Sequence, residues 1–362
     1  MSDGRATTEA DVLRRIDQAR HRRTPLTADR VTLVHGAGGK ASATLVDAIF
    51  IDAFGAPDPD ELGDAAVLDV AAGRLAYSTD SYVVSPIRFP GASIGELAVN
   101  GTVNDLAVAG AQPRWLSAAF ILEEGLPVDD LRAVVADMAR AAERAGVRIV
   151  TGDTKVVPKN TGDQVYITTS GVGVVPPGRL LGARRVQGGD RIVLSGPIGA
   201  HGMAVMIARG NLDLKAPIAS DSTPVNGWVE AVYAAVPPEA VRWMRDATRG
   251  GLGTIANELA QASGLGLLLD DDAIPVDPMV RGACDMLGID PLYVANEGCF
   301  MAVLDPGYAG AAVAALHQAG APRAGVIGEI TTDLEDVVAI RNAFGGTRLV
   351  DMLIGDPLPR IC

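Results

Sequence analysis

Apolar and polar positions along the 362 residues recur with two periods, and the period marks the elements. Val31-Thr-Leu-Val34 predicts a short strand running into the glycine loop Gly36-Ala-Gly-Gly39, and helical spacing follows through Leu45, Val46, Ile49 and Phe50. Beyond an Asp- and Pro-rich loop at 55–63, Ala65 to Val70 and Leu75 to Thr79 predict two strands joined at Ala71-Ala72-Gly73. Residues 93–110 predict a helix of small side chains, with Asn100 and Asn104 one turn apart on one face. Residues 128–145 predict an amphipathic, Ala-rich helix. Val147 to Thr151 predicts a buried strand, followed by Gly152-Asp153-Thr154-Lys155.

The pattern then breaks and restarts. Pro176-Pro-Gly178 and Gly188-Gly-Asp190 bracket a basic, turn-rich stretch that marks a domain junction. After it come a strand at Arg191 to Ser195, a Gly-rich turn at Gly196 to Gly202, and Asp246-Ala-Thr-Arg-Gly-Gly251 leading into a helix. Gly325 to Ile330 and Val337 to Ile340 predict two late strands. The expected organisation is an N-terminal extension (1–30), a first domain (31–180), a second (181–354) and a tail (355–362). The length suits two cores better than one. Gly355-Asp-Pro-Leu-Pro-Arg-Ile-Cys362 carries two prolines and little packing potential, so a flexible arm reaching about 25 Å is expected.

Composition narrows the classes. Hydrophobic residues make up 48%, aromatics only 4%, and there are 42 glycines; closely packed helices and strands fit this and disorder does not. A net charge of −13, with only the short basic run Arg20-His-Arg-Arg23, excludes nucleic acid as a partner. An acidic chain can still take a polyanion where divalent cations bridge the charges. No uncharged apolar run is long enough to span a membrane, and the polar N-terminus has no signal-peptide core. The three cysteines, Cys284, Cys299 and Cys362, have neither metal-ligand nor disulfide spacing, which points to a reducing cytoplasm.

Four constellations carry chemistry. Paired about their turn, the two predicted strands set Asp64 opposite Asp80, where like charges repel unless a cation lies between them. Asp153 at a strand end and Asp105 beside Asn104 complete four acids suited to holding Mg²⁺ under phosphates; each alone also suits a turn or cap. The glycine loop is not a Walker A motif, since Val34 stands where Gly is required and Ala41 where Ser or Thr is. Its N–H groups, at Gly38 and Gly39 among others, could contact phosphate or simply form a tight turn. Asp246 and Arg249 sit in a glycine turn before a helix, where the Arg fork suits phosphate oxygens and a capped surface turn is the bland alternative. Cys362, at the tip of a Pro-containing arm, is placed as a swinging carrier thiol would be, although any chain must end in something.

Together these stretches resemble the HypE family of [NiFe]-hydrogenase maturation factors, within the PurM-like (AIR synthetase-like) superfamily of ATP-binding enzymes. The resemblance runs over residues 31–362. It is carried by His35-Gly-Ala-Gly-Gly39, Ser78-Thr-Asp-Ser81, Asn100-Gly-Thr-Val-Asn-Asp-Leu106, Pro113-Arg-Trp-Leu116, Phe120-Ile-Leu-Glu-Glu-Gly125, Thr151-Gly-Asp-Thr-Lys155, Asp246-Ala-Thr-Arg-Gly-Gly-Leu252, Asn296-Glu-Gly298 and Pro359-Arg-Ile-Cys362. It implies an α+β, two-domain fold of mixed sheets packed with helices, dimerising through the sheets of the N-terminal domains. ATP and Mg²⁺ would sit against Asp64, Asp80, Asp105 and Asp153, with Gly38, Gly39, Asn104, Asp246 and Arg249 contributing to the nucleotide site. A HypF carbamoyltransferase would load Cys362, ATP-dependent dehydration would turn the S-carbamoyl group into a thiocyanate, and a HypC–HypD complex would receive the cyanide. Lys155 and Glu297 would form the proton-handling pair, with a desolvated Glu beside a Lys. The rival readings are another kinase or synthetase of the superfamily and a maturation scaffold. The N-terminal thirty residues and Lys40 depart from the family pattern.

Overall fold

The computed structural model describes residues 26–32, 35, 44–55, 73–210 and 216–351. Gly38, Gly39, Lys40, Asp64, the predicted strand 65–70 and the tail with Cys362 lie outside them, as does most of the N-terminal extension.

The first half is a four-stranded sheet in the order β1-β6-β4-β5, made by β1 (Arg74–Tyr82), β4 (Gln112–Glu123), β5 (Arg148–Val157) and β6 (Val165–Val175). β4 and β5 run parallel and the other neighbours antiparallel. A two-residue pairing of β2 (Arg88–Phe89) with β3 (Ala92–Ser93) stands apart. Helices α1 (Ile94–Val108) and α2 (Val128–Ala145) cover one face. Along β6, buried and half-buried residues alternate from Val165 to Val175, as a sheet with one packed face requires. α2 is amphipathic, with Asp129 and Asp130 in its first turn, Arg144 in its last and a left-handed Gly146 behind it, so charges and cap agree with its dipole. α1 is different. Nearly every residue from Ile94 to Val108 is buried, because the sheet, α2 and the second half surround it. Its small side chains make that possible: a Cβ on Gly95 would lie 2.1 Å from the Val134 carbonyl oxygen.

The second half holds a seven-stranded sheet in the order β13-β12-β9-β11-β7-β10-β8. Its strands are β7 (Arg191–Leu194), β8 (Val241–Asp246), β9 (Gly266–Asp270), β10 (Phe300–Leu304), β11 (Gly325–Thr331), β12 (Val338–Arg341) and β13 (Thr347–Leu349). This sheet is covered on both faces. Met301 and Val303 of β10 pack with α5 (Gly251–Ser263), while Phe300, Ala302 and Leu304 pack with α4 (Asn226–Ala235) and α7 (Ala309–Gln318). The continuous apolar run of β10 follows from that double burial. α3 (Ala200–Ala208) and α6 (Pro278–Leu287) join the core of the first half through Met203, Val205, Ala283 and Cys284. Cys284 and Cys299 are free, as their spacing suggested, and both are buried.

Three local expectations change. Near Val31 there is only an isolated bridge from Arg30 to Pro127; no strand forms among the described residues there. The stretch expected to turn at Gly196–Gly202 enters α3 at Ala200. β5 extends through Val157, so Asp153 stands in mid-strand rather than at its end, and its residues are exposed or half-buried rather than buried. Among the described residues it is a sheet edge paired only with β4, and one of its faces carries no helix.

Candidate active site

β1 has two faces with different chemistry. Toward α1 it presents Ser78, whose hydroxyl donates to the Asp105 carboxylate at 2.7 Å, and Tyr82, whose hydroxyl lies 3.4 Å from that of Thr102. Asp80 alternates with them on this side. The second half meets this face through two segments. Residues 220–225 clasp α1: the Asn100 amide donates to Ser222 Oγ at 3.0 Å. The Asn104 amide donates to the carbonyls of Thr223 (3.1 Å) and Glu297 (3.2 Å) and accepts from the Val225 N–H at 2.8 Å.

The second segment is Asn296-Glu297-Gly298, and each residue has a separate reason to be there. Asn296 staples three loops, accepting from the Gly199 N–H (2.6 Å) and donating to the carbonyls of Ala247 (2.8 Å) and Val294 (3.1 Å). The N–H groups of Glu297 and Gly298 donate to the Asp221 carboxylate at 3.1–3.3 Å. Gly298 admits no side chain, since a Cβ would stand 2.0 Å from the Asp221 carbonyl oxygen. The Glu297 side chain is thereby held only 3% exposed. Asp246 closes the group at the end of β8, followed by the left-handed Gly250 and Gly251 and the start of α5; a Cβ on Gly251 would meet the Leu292 carbonyl oxygen at 2.5 Å.

Five carboxylates therefore converge where the two halves meet: Asp80, Asp105, Asp221, Asp246 and Glu297. Burial raises Asp105, Asp221, Asp246 and Glu297, and repulsion from neighbouring acids adds to it at Asp105, Asp246 and Glu297. Asp246 is pushed up to about 7 by burial and then by Asp105 and Asp80, against the pull of its own backbone N–H and of Arg245. Glu297 is raised well above the carboxylate range by burial, then by Asp246 and Asp221. Asp221 is raised to about 6 by burial, partly offset by the N–H groups it accepts. Asp105 rises through burial while Ser78 holds it down, and burial together with Asp80 lifts the Tyr82 phenol well above its usual value.

Of the residues chosen from sequence, Asp80, Asn104, Asp105, Asp246 and Glu297 meet here. Arg249 is exposed on the adjoining turn. Within one chain, Asp153 and Lys155 do not meet them. Asp153 lies beside Ala119 of β4, Ala119 beside Thr168 of β6, and Thr168 beside Ser81 of β1. That row crosses the bare face, roughly 14 Å wide at three strand spacings, and Asp80 points to the other face. Lys155 pairs with Asp153 at 3.6 Å, both side chains about two-thirds exposed, so it is an ordinary ion pair within this chain. The groups that do act on Glu297 are all acids. Asp221 was missed. Its setting in Ser220-Asp-Ser-Thr223 looks like any polar loop, and only the fold brings it under Glu297.

The family description "AIR synthase related protein, N-terminal domain" matches residues 62–175, and its C-terminal counterpart matches 187–341. The carbamoyl dehydratase HypE of Rhodobacter capsulatus is 51% identical over 338 residues, 92% of this chain and 98% of that protein. The chain belongs to the HypE family. A crystal structure of the hydrogenase maturation protein HypE in complex with ATP shares the fold at a TM-score of 0.86 and 44% identity, covering 91% of this chain and 99% of that one. A crystal structure of a HypE–HypF complex matches at a TM-score of 0.75 and 42% identity, over 84% and 98%. The α+β, two-domain architecture expected from sequence is that of the HypE family. Among the described residues no helix is long and apolar enough to cross a membrane.

Proposed function

We propose that this chain is an ATP-dependent carbamoyl dehydratase acting on an S-carbamoyl group carried by its own Cys362. The observation that carries this reading is the cluster of carboxylates around the buried Glu297 at the junction of the two halves, in a chain 51% identical to a carbamoyl dehydratase over nearly its whole length. In the reaction the carbamoyl oxygen attacks the γ-phosphorus of ATP, ADP leaves, and one N–H proton is lost. The O-phosphorylated intermediate then expels phosphate with loss of the second N–H proton, leaving S–C≡N. Glu297, desolvated and ringed by acids, is the group to accept those protons, because burial and neighbouring acids raise the basicity of its carboxylate. Asp221 holds the Glu297 backbone in place, and Asn104 ties it to α1. Arg249, with Gly38 and Gly39, is assigned to the phosphates.

Mg²⁺ fits the donor set. Asp80, Asp105 and Asp246 repel one another and present only oxygen ligands, and Asp64 would join them. Among the described residues no cluster stands ready to hold a metal directly, so water would complete the ligation, as Mg²⁺ tolerates. The cation would supply charge neutralisation on the phosphates.

A second copy completes the assembly. The bare face of the four-stranded sheet exposes Tyr77 (69%), Leu75 and Ile121 beside hydroxyl ladders such as Thr79–Ser170. Closed against its twin, that face would be buried, and Asp153 and Lys155 would reach the partner's nucleotide. In this reading residues 31–180 bind ATP and dimerise, 181–354 supply Glu297, and 355–362 deliver the thiol. Loading by a HypF carbamoyltransferase, transfer to a HypC–HypD complex and a cytoplasmic setting belong to the same proposal. Mass spectrometry of the C-terminal peptide tests it. With carbamoyl phosphate and the loading enzyme, Cys362 should gain a carbamoyl group that loses the mass of one water only when ATP is added. A Cys362→Ala chain that still yields cyanide would refute it.

A further inference from the structure

Away from the carboxylate ring, one charged side chain is buried in a place the reaction does not touch. Arg179 lies in the connection between the two sheets, after β6 ends at Val175 and before β7 begins at Arg191, and its side chain is only 8% exposed. The partners of its guanidinium lie on α4 and at the end of α1. Its guanidinium donates to both oxygens of Glu230 on α4, at 2.5 and 2.8 Å, and lies 4.0 Å over the ring of Tyr233 one turn further along α4. The same fork reaches the carbonyl of Gly110 (3.3 Å), the left-handed residue that ends α1. Gln112, just beyond, donates to Glu230 at 2.9 Å. Burial raises the Glu230 carboxyl, but its hydrogen bonds from Arg179 and Gln112 win and leave it below its ordinary value. The pair is therefore charged and directional.

These two helices also carry the site. α1 bears Asn104 and Asp105, and residues 221–225, which hold Glu297 and Gly298 and receive Asn104, lead straight into α4 at Asn226. Beside the Asn104 hydrogen bonds, the helices meet through apolar packing of Ala107 and Val108 against Val225, Val229 and Val232. Small side chains of that kind allow a helix to slide, whereas a bidentate fork with a stacked ring does not. We propose that Arg179 is a positioning residue for the dehydration: its clamp on Glu230, Tyr233 and Gly110 fixes the register of α4 on α1, and that register places Asp221 and Asn104 around Glu297. The inference rests on the reaction proposed above, but its geometry can be read without turnover.

The test uses the full-length chain. Replacing a buried ion pair by apolar residues of similar volume commonly preserves stability while removing direction, so the informative variant is the double change Arg179→Met with Glu230→Leu. It should melt within a few degrees of the wild type. Hydrogen exchange at the amides of Val225, Glu297 and Gly298, each bonded to Asn104 or Asp221, should accelerate about tenfold or more. With the loading enzyme, carbamoyl phosphate and ATP, water loss from the C-terminal peptide should slow about tenfold, and the acid limb of its pH–rate profile should move down by about one unit as water reaches the carboxylates. Arg179→Lys keeps the charge without the fork and should not restore the rate. Wild-type exchange at those amides, or a wild-type rate with an unmoved profile, would overturn the positioning role. Should the double variant unfold, Glu230→Gln is read by the same exchange, with a smaller acceleration expected and none counting against the clamp. A wild type that exchanges as predicted yet shows no ATP-dependent water loss contradicts the reaction and leaves the clamp standing.

Discussion

At the scale of the residue, the site is an arrangement of acids that folding holds at a cost. Asp246 carries a native pKa of about 7 against an ordinary carboxylate value of 3.8. Between those values the native state keeps a proton that the unfolded chain has released, so stability falls as pH rises through the window and levels off above it. Three units correspond to about 4 kcal/mol at the upper bound, and a realistic share is about 1–3 kcal/mol. Without nucleotide, Asp246→Asn should therefore be more stable than wild type at pH 8 by that amount and equal to it near pH 4. Urea melts across the range check this; parallel curves from pH 4 to 8 would show that the burial of Asp246 is not felt as strain. Glu297 and Asp246 were both legible in the sequence, but for different reasons. Asp246 precedes a glycine turn and a helix, a pattern with its own physics. Glu297 stood out only through family resemblance, and nothing local distinguishes it from a surface acid.

At the scale of the element, periodicity worked where one environment acted on a whole element. α2 is half core and half solvent, and its apolar stripe marks both ends. β10 is apolar throughout because helices cover both faces of its sheet. β5 defeated the same logic: an edge strand with one bare face shows Ile149, Val150, Val156 and Val157 with Asp153 and Lys155 between them, and local pattern does not say where the strand stops. α1 shows how packing overrides propensity. Gly101 in a free helix would be improved by alanine by about 1 kcal/mol. Here a Cβ would stand 2.2 Å from the Tyr82 hydroxyl oxygen, inside a helix buried on all sides. Gly101→Ala should instead destabilise by about 1–3 kcal/mol. Tyr82→Phe in the same chain removes the colliding atom and should recover part of that loss. Chemical denaturation of the two single variants and the double reads the coupling, and additive losses would mean that the hydroxyl is not the obstacle.

At the scale of the whole molecule, the two sheets differ in a way that bears on assembly. The seven-stranded sheet carries helices on both faces, whereas among the described residues one face of the four-stranded sheet carries none and bears Asp153 and Lys155, which the proposed reaction would use. An acid near phosphates is useful; an acid about 14 Å across a sheet from Asp80, on the opposite face, is not. If two bare faces close on each other around a two-fold axis, each site draws Asp153 from one protomer and Glu297 from the other. The consequence can be measured by mixing two inactive variants. Asp153→Asn and Glu297→Gln homodimers each carry a defect at both sites. Subunit exchange at equal concentrations makes hybrids, and every hybrid has one site with both lesions and one with neither. About half of the dimers would then hold one intact site of two, and activity should return to about a quarter of wild type. If Asp153 served the Glu297 of its own chain, every site in every hybrid would keep one lesion and mixing would restore nothing.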